Sequence, residues 1–348
     1  MIRYYTCMAL FFLLLVSCEE TKETELTQFI EEKVTADSFD KELSTLDKAL
    51  AENENDLSLL IKKAKLCKES YDFSCTLETA AKAYRLDSSN LEARDIYAWT
   101  LINKSTRTLT DIENAQRHFK YIIQKKPKDV AAYVNLANTY SLQGDFKKSF
   151  QYINEGLRID KNYRDAYVLK GSNYRVIGDT NLTISSFETA IQVDPKNVET
   201  YLNVADYYVE IGNPIALEYY QTAYDLKPVK KDFLMRAVYG IAKTQQDLGR
   251  NQEALAGYRD LLSIDSLFYI ANFNSGYIKQ FHQMEIDSAV YYYNLALAVN
   301  PDFVQGWHNL GLAYIDQNRK SDAARAFSNV MRVAPEYEPT KEAIKLLK

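Results

Sequence analysis

The sequence has little of what enzymes and metalloproteins rely on. Its 348 residues include three histidines, His118, His282 and His308, which lack the short spacing of a metal-ligand pair. It has no Gly-rich phosphate loop, no Gly-x-Ser-x-Gly turn and no Cys-x-x-Cys pair, and its carboxylates are scattered along the chain. The sequence therefore predicts no metal site, no cofactor and no enzymatic activity.

Basic stretches are also missing. Lys and Arg total 42 against 47 Asp and Glu, a formal net charge of −5, and both signs are mixed along the chain. A protein that neutralises nucleic-acid phosphates needs a concentrated basic surface. We therefore expect no nucleic-acid partner.

The N-terminus has an apolar run at residues 8–16 after the basic Arg3, too short to span a bilayer, which needs about 20 residues. Leu15-Val16-Ser17-Cys18 follows at its end and resembles the bacterial lipobox. The resemblance implies a lipoprotein signal peptide over residues 1–17 and a mature N-terminal Cys18 that carries lipid and anchors the chain to a membrane. The alternative is an ordinary signal peptide with a chance cysteine.

Such a lipoprotein is expected in the bacterial cell envelope, at the outer membrane. Glu19, Glu20 and Glu23 resemble the acidic run that follows the lipidated cysteine of some surface lipoproteins of Bacteroidota. Both a surface-facing and a periplasm-facing location stay open.

Of the four cysteines, Cys7 lies in the predicted signal peptide and Cys18 is the predicted site of lipid attachment. Cys67 and Cys75 are therefore the two that could form a disulfide. They lie on either side of one predicted helix-hairpin turn. An envelope compartment permits a disulfide between them, whereas the alternative is two reduced packing residues. Spacing alone does not decide, because a disulfide needs Cα atoms within about 7 Å of each other.

A phrase recurs at intervals of about 34 residues. Residues 203–213 read Asn-Val-Ala-Asp-Tyr-Tyr-Val-Glu-Ile-Gly-Asn, and variants begin at Asn135, Leu169 and Asn309. The expected helix ends keep the same period, with successive separations of 39, 34, 34, 33, 38, 35 and 34 residues, and are Ser88, Pro127, Lys161, Pro195, Pro228, Ser266, Pro301 and Pro335. A repeat of this length is typical of stacked helical hairpins.

These phrases resemble the tetratricopeptide repeat. The resemblance implies an all-α fold, an α-solenoid wound as a right-handed superhelix. We expect a short tether at residues 18–22, about nine repeats over residues 23–337, and a cap helix over residues 338–348. The first repeat is degenerate, with Leu26, Phe29 and Ile30 on its first helix.

The repeat predicts how each hairpin packs. When each unit is numbered so that its helix-ending residue is position 32, position 8 on the first helix is always Ala or Gly. Position 20 on the second helix is also small, and position 24 is mostly aromatic and is expected to fill the space between hairpins. Glycines are expected in left-handed turns after the first helix, at Gly144, Gly178, Gly212 and Gly249, with Asp145, Asp179 and Asn213 as caps of the second helix.

In tetratricopeptide proteins, positions 2, 5, 9 and 12 of the first helices line a concave groove. This resemblance implies six partner-binding residues, which are Trp99, Tyr239, Lys243, Phe273, Tyr277 and His308. The alternative is that neighbouring repeats cover these side chains. The chaperone-tail version of the groove clamps a terminal carboxylate, but Asn138 is accompanied by Val134 and Leu169, so this clamp is absent.

Three functions remain. The leading hypothesis is a non-enzymatic, lipid-anchored scaffold of the cell envelope that binds a protein or peptide in its groove. A glycan-binding envelope lipoprotein is the second, with Trp99 and groove tyrosines stacked on sugar rings. A hydrolase with a cryptic site is the third, although no nucleophile and base can be named.

Overall fold

The structure is a computed structural model that describes residues 39–347. The predicted signal peptide at 1–17, the tether at 18–22 and Cys18 lie outside these residues, as does the expected first helix of the degenerate repeat, and they stay predictions. The first described helix, α1, covers residues 39–52. The others are α2 Leu57–Glu69, α3 Phe73–Leu86, α4 Leu91–Asn103, α5 Leu109–Lys125, α6 Val130–Leu142, α7 Phe146–Ile159, α8 Arg164–Ile177, α9 Thr180–Val193, α10 Val198–Glu210, α11 Ala216–Asp225, α12 Lys231–Asp247, α13 Asn251–Ile264, α14 Tyr269–Phe281, α15 Ile286–Val299, α16 Val304–Asp316, α17 Lys320–Val333 and α18 Glu338–Ile344.

Within residues 39–347, the helices form consecutive antiparallel pairs in two compact units, which divide after Pro195. In the first unit the hairpins are α2/α3, α4/α5, α6/α7 and α8/α9, and each first helix also contacts the next first helix. In the second unit they are α10/α11, α12/α13, α14/α15 and α16/α17, and α18 packs against both α16 and α17. The predicted all-α solenoid of helical hairpins is confirmed.

The hairpins α8/α9, α14/α15 and α16/α17 are each closed by a ring of the second helix that lies on a glycine of the first. A Cβ atom added to Gly171 of α8 would stand 2.6 Å from Cδ1 of Phe187 in α9. A Cβ atom on Gly276 of α14 would stand 2.7 Å from Cε1 of Tyr293 in α15. Real Cβ atoms essentially never come this close to another heavy atom, because van der Waals repulsion is steep at such distances. The position 24 ring therefore packs on position 8 of its own hairpin, a contact that the sequence did not predict.

A ring at the same position of another hairpin reaches the next hairpin, as predicted. Tyr220 of α11 lies against Gly240 of α12, where any Cβ atom would collide with the ring. The hydroxyl of Tyr220 also donates to Asp206 of α10, so one aromatic side chain contacts the first helix of its own hairpin and that of the following one.

The predicted glycine turns are present. Their φ angles are positive at Gly144 (76°), Gly178 (87°), Gly212 (67°) and Gly249 (74°). Asp145 and Asp179 cap the next helices, accepting from the amides of Lys148 at 3.1 Å and Leu182 at 3.0 Å. Asn213 does not cap α11 as predicted, because Pro214 follows it and the chain makes one further turn before that helix begins.

Cys67 of α2 and Cys75 of α3 form a disulfide in the structure, with Cα atoms 5.8 Å apart. Between them Tyr71 has φ 58°, at the place where other hairpins use glycine. A side chain in this left-handed conformation costs about 1–2 kcal/mol. The disulfide joins the two helix ends around this turn and so limits the other conformations that the turn could adopt.

The first unit also buries an imidazole. His118 of α5 contacts Tyr84 and Tyr97 edge-on, with ring centroids 4.9 and 5.5 Å away. Its Nδ1 lies 3.0 Å from Nη1 of Arg94, a group that can only donate, so this nitrogen accepts and the imidazole is neutral. Burial, together with the charges of Arg94 and Arg117, lowers the pKa of His118 from 6.5 to about 4.

We predict opposite effects for two glycine-to-alanine changes in helix interiors. Gly171→Ala should destabilise the fold by about 1–3 kcal/mol, because its methyl group overpacks against the buried ring of Phe187. Gly156→Ala should stabilise it by up to about 1 kcal/mol, since a Cβ there meets its nearest neighbours at an ordinary 3.5 Å and alanine favours helix. Chemical denaturation of both variants measures this, and equal effects would mean that the ring contact is not tight.

We predict that His118 makes the fold sensitive to acid. The unfolded chain binds a proton near pH 6.5 and the folded chain only near pH 4, so stability falls as the pH drops through this window. The loss should be on the order of 2–3 kcal/mol. His118→Gln keeps an acceptor for Arg94 but cannot titrate, so denaturation curves at pH 7 and pH 4.5 should show a smaller loss for this variant. An unchanged pH dependence would rule out His118 as its source.

Candidate functional site

The free faces of the first helices are the candidate binding surface, and the two units each have their own. In the first unit, Trp99 of α4 is half-buried. The ring of Phe73 stacks on it with centroids 5.9 Å apart, and Nζ of Lys68 stands 4.5 Å from the indole centroid. Phe73 and Lys68 belong to the hairpin that the disulfide closes. The position of the indole therefore depends on that turn.

Lys68, which lies beside the indole, interacts with the acidic Asp95. Burial raises the pKa of the Asp95 carboxyl, and the nearby Lys68 partly opposes this rise. Burial likewise lowers the pKa of Lys68, opposed by the attraction of Asp95. Both residues are partly buried, and their mutual attraction does not fully offset the effect of burial on either pKa. A partner that brings polar or charged groups to this surface would find both a donor and an acceptor.

In the second unit, two of the predicted binding aromatics pack inside the unit. Tyr239 of α12 lies edge-on to Phe268, with centroids 5.6 Å apart, and joins the core of its hairpin. Phe273 of α14 contacts Tyr293 of its own hairpin at 5.8 Å and Phe303 of the next at 4.9 Å. Neighbouring side chains thus cover much of both rings, as the alternative interpretation expected.

His308 and Lys243, two further predicted binding residues, also contact other residues of this unit. Nδ1 of His308 lies 2.8 Å from Oγ1 of Thr340 in the cap helix α18, and Tyr337 packs edge-on to the imidazole. Burial lowers the pKa of His308. Lys243 remains at the surface, where it forms an ion pair with Asp247 one turn along α12.

Tyr277 differs from these residues because its ring is 36% exposed. Phe281, one helical turn further, contacts it at 4.7 Å and is 40% exposed. Met284 in the following turn is 75% exposed and has φ 55°, an uncommon conformation for a large side chain. We call Tyr277, Phe281 and Met284 the Tyr277 patch. Phe281 and Met284 are not among the binding residues predicted from the sequence, although the i, i+4 spacing from Tyr277 was a signal for Phe281.

Hydrogen bonds hold the helices around this surface. The hydroxyl of Tyr258 donates to Oε1 of Gln246 at 2.6 Å, and that of Tyr293 donates to Oε1 of Gln280 at 2.9 Å. The hydroxyl of Tyr220 donates to Asp206, whose carboxylate also pairs with Arg236. These tyrosines all occupy position 24, so in this unit the packing ring also orients polar side chains of the first helices.

Neither metal binding nor membrane spanning has support in the described part of the chain. Across residues 39–347, no group of three or more His, Cys, Asp or Glu side chains is arranged to hold a metal ion. Over the same residues, none of the helices has the length and hydrophobicity that crossing a bilayer requires.

Comparisons with known proteins agree with this architecture. The family described as "Tetratricopeptide repeat" matches residues 130–163, which include α6 and α7. Human tetratricopeptide repeat protein 6 is 25% identical over 198 residues, covering 56% of this chain and 37% of that protein. The chain therefore spans well under half of that relative.

Two solved structures are similar in fold. The C-terminal part of a TPR repeat-containing protein from Cytophaga hutchinsonii aligns with a TM-score of 0.57 at 16% identity, covering 72% of this chain and 98% of that one. The APC/C hetero-tetramer Cut9-Hcn1 aligns with a TM-score of 0.54 at 16% identity, covering 84% and 56% of the two chains. The chain thus contains a tetratricopeptide repeat and has the fold of tetratricopeptide-repeat proteins.

Proposed function

We propose that the protein is a non-enzymatic scaffold that binds a protein or peptide partner on the free faces of its first helices. The observation that carries this proposal is the Tyr277 patch, in which three large side chains stay exposed on a surface whose other aromatic residues are packed. Exposed aromatic and methionine side chains of this kind are frequent anchors at protein interfaces.

The partner would bind to a preformed surface. A hydrogen bond from Tyr293 to Gln280, the residue before Phe281, holds α14 to α15 at the patch, so this side of the interface needs little ordering on binding. Binding to a preorganised surface loses less conformational entropy and is therefore tighter for the same contacts. Tyr277 and Phe281 supply rigid area, whereas the flexible Met284 can adapt to the partner.

The glycan alternative has less support. Sugar recognition by Trp99 would need an accessible indole face, but Phe73 stacks on this ring and the Lys68 ammonium stands over it. A sugar would compete with these contacts. A hydrolase has no supporting constellation among the described residues.

The binding proposal predicts a site-specific loss. Tyr277→Ala should weaken partner binding by about 2 kcal/mol, roughly 30-fold, as truncation of an interface anchor commonly does. Tyr224→Ala is the matched control, because Tyr224 is also exposed but lies on the second helix α11. A photo-crosslinking residue at each position, introduced in cells that contain the partner, should give a discrete crosslinked species at 277 and none at 224.

Phe273→Ala separates binding from packing. Because Phe273 touches Tyr293 and Phe303, its truncation should lower the melting temperature, whereas Tyr277→Ala should leave it nearly unchanged. If Tyr277→Ala melts early and the crosslink at 277 is no stronger than that at 224, Tyr277 is a packing residue and the binding surface lies elsewhere.

We further propose that this scaffold is a lipoprotein of a bacterial cell envelope, attached to the outer membrane through Cys18. Support comes from residues 15–18, which resemble a lipobox after a short apolar run. Its surface-facing or periplasm-facing orientation is left to experiment.

Cys18→Ala should abolish lipid attachment, since it removes the acceptor thiol. Metabolic labelling with a fatty acid, followed by membrane fractionation, should show label and membrane retention for the wild-type chain only. Cys7→Ala is the matched control, because Cys7 lies within the predicted signal peptide and should be dispensable. Equal labelling of the Cys18→Ala protein would eliminate the lipoprotein proposal.

A further inference from the structure

The turn of the hairpin α2/α3 has an unusual residue at position 15. This residue is Tyr71, in the left-handed conformation with φ 58°. The other hairpins with the same spacing between positions 8 and 20 have glycine or asparagine there, namely Gly144, Gly178, Gly249 and Asn318, all with positive φ. Glycine and asparagine tolerate positive φ, whereas a bulky side chain rarely adopts it. The sequence of this turn therefore does not favour the conformation that the turn has.

The same turn carries the disulfide. Cys67 and Cys75 are the only cysteines among residues 39–347, so no other hairpin in this part of the chain can have one within it. The bond joins the last turn of α2 to the first turn of α3, with Tyr71 between them. Because the two helix ends are held covalently, the turn keeps a conformation that Tyr71 alone disfavours. Once the bond is broken, Tyr71 can leave the left-handed region.

The pairing of the helices does not depend on this bond. The core between α2, α3 and α4 consists of seven buried residues, neither of the cysteines among them, and these are Leu60, Ile61, Ala64, Ala80, Ala83, Ala93 and Ile96. A disulfide that closes a short loop also removes less entropy from the unfolded chain than one that closes a long loop, and here the cysteines are only 8 residues apart. Reduction should therefore loosen the turn and leave the hairpin folded.

The turn holds the ring that covers Trp99. Phe73, the first residue of α3, stacks on the indole with centroids 5.9 Å apart and an angle of 21° between the ring planes. The backbone amide of Phe73 donates to the carbonyl of Tyr71 at 2.9 Å, and the centroids of these two rings are 6.3 Å apart. A change of conformation at Tyr71 therefore shifts Phe73 and uncovers the indole.

We propose that the Cys67–Cys75 disulfide is a redox switch for the exposure of Trp99. In the oxidised protein the turn is held and Phe73 covers the indole. In the reduced protein the turn relaxes, Phe73 withdraws and Trp99 becomes accessible on the first-helix surface of its unit. This switch does not depend on the binding role of the Tyr277 patch, which belongs to the other unit.

The reductant is a dithiol. Cys75 is partly exposed and Cys67 is buried, so a thiolate of the dithiol attacks Sγ of Cys75. The bond between the two protein sulfur atoms breaks, and Sγ of Cys67 leaves as a thiolate that takes up a proton. The second thiolate of the reductant then attacks its own sulfur in the mixed disulfide, which releases Cys75 as a thiolate that is protonated in turn. Two electrons have passed to the protein, and the dithiol has become a disulfide.

Solvent access to Trp99 tests the switch. Trp307→Phe leaves Trp99 as the only tryptophan of the chain. In this background, graded dithiothreitol should reduce Cys67 and Cys75 under native conditions, as alkylation and peptide mass spectrometry measure. The bimolecular constant for acrylamide quenching of Trp99 should rise at least about twofold on reduction, because the stacked face of the indole becomes accessible. Full reduction with unchanged quenching would overturn the proposal.

Cys75→Ser in the same background is the matched variant, since it removes the disulfide and leaves the buried Cys67 in place. It should show the quenching of the reduced protein with and without dithiothreitol. Far-UV circular dichroism should give the same helix content for the oxidised and the reduced chain. A loss of helix on reduction, or a disulfide that dithiothreitol reduces only after unfolding, would make the bond a structural cross-link and refute the switch.

Tyr71→Gly tests what drives the change. Glycine is the residue that most equivalent turns have, so this turn should keep its conformation after reduction. Acrylamide quenching of Trp99 in the reduced variant should then stay at the oxidised level. If reduction exposes Trp99 as much in Tyr71→Gly as in the chain with Tyr71, the left-handed tyrosine is not the cause and the proposed mechanism is wrong.

Discussion

In the hairpins α8/α9, α14/α15 and α16/α17, the contact between a glycine of the first helix and a ring of the second sets the distance between the two helices. Gly171 under Phe187 and Gly276 under Tyr293 show it most clearly, since not even a methyl group fits beneath the ring. This contact uses only the inward faces, so an outward side chain that no neighbouring hairpin covers, such as Tyr277, is not needed for it. Such a side chain can therefore serve a partner.

Much of the fold follows from local chemistry and could be predicted from the sequence. The period of the repeat, the small residues at position 8 and the glycines of left-handed turns, such as Gly178, all act within one hairpin. Their effect does not depend on distant residues. The turn at Asn213 was mispredicted because Pro214 changes the entry into α11.

The binding surface was harder to predict, because exposure depends on side chains from other hairpins. Phe273 and Tyr277 belong to one helix, and both occupy positions expected to face the groove. Phe303 of the next hairpin covers Phe273, whereas Tyr277 remains exposed beside Phe281. The repeat pattern predicts which way a side chain points, but not whether a side chain of the next hairpin covers it.

The central claim is that tight ring contacts set the helix spacing, and a double-mutant cycle tests it most directly. Gly311→Ala and Phe327→Leu change the two partners of one such contact, between α16 and α17. Chemical denaturation of the wild type, both single variants and the double variant gives the coupling energy. We predict that Phe327→Leu relieves most of the cost of Gly311→Ala, with a coupling of about 0.5–3 kcal/mol. Additive effects, within about 0.5 kcal/mol, would contradict the claim.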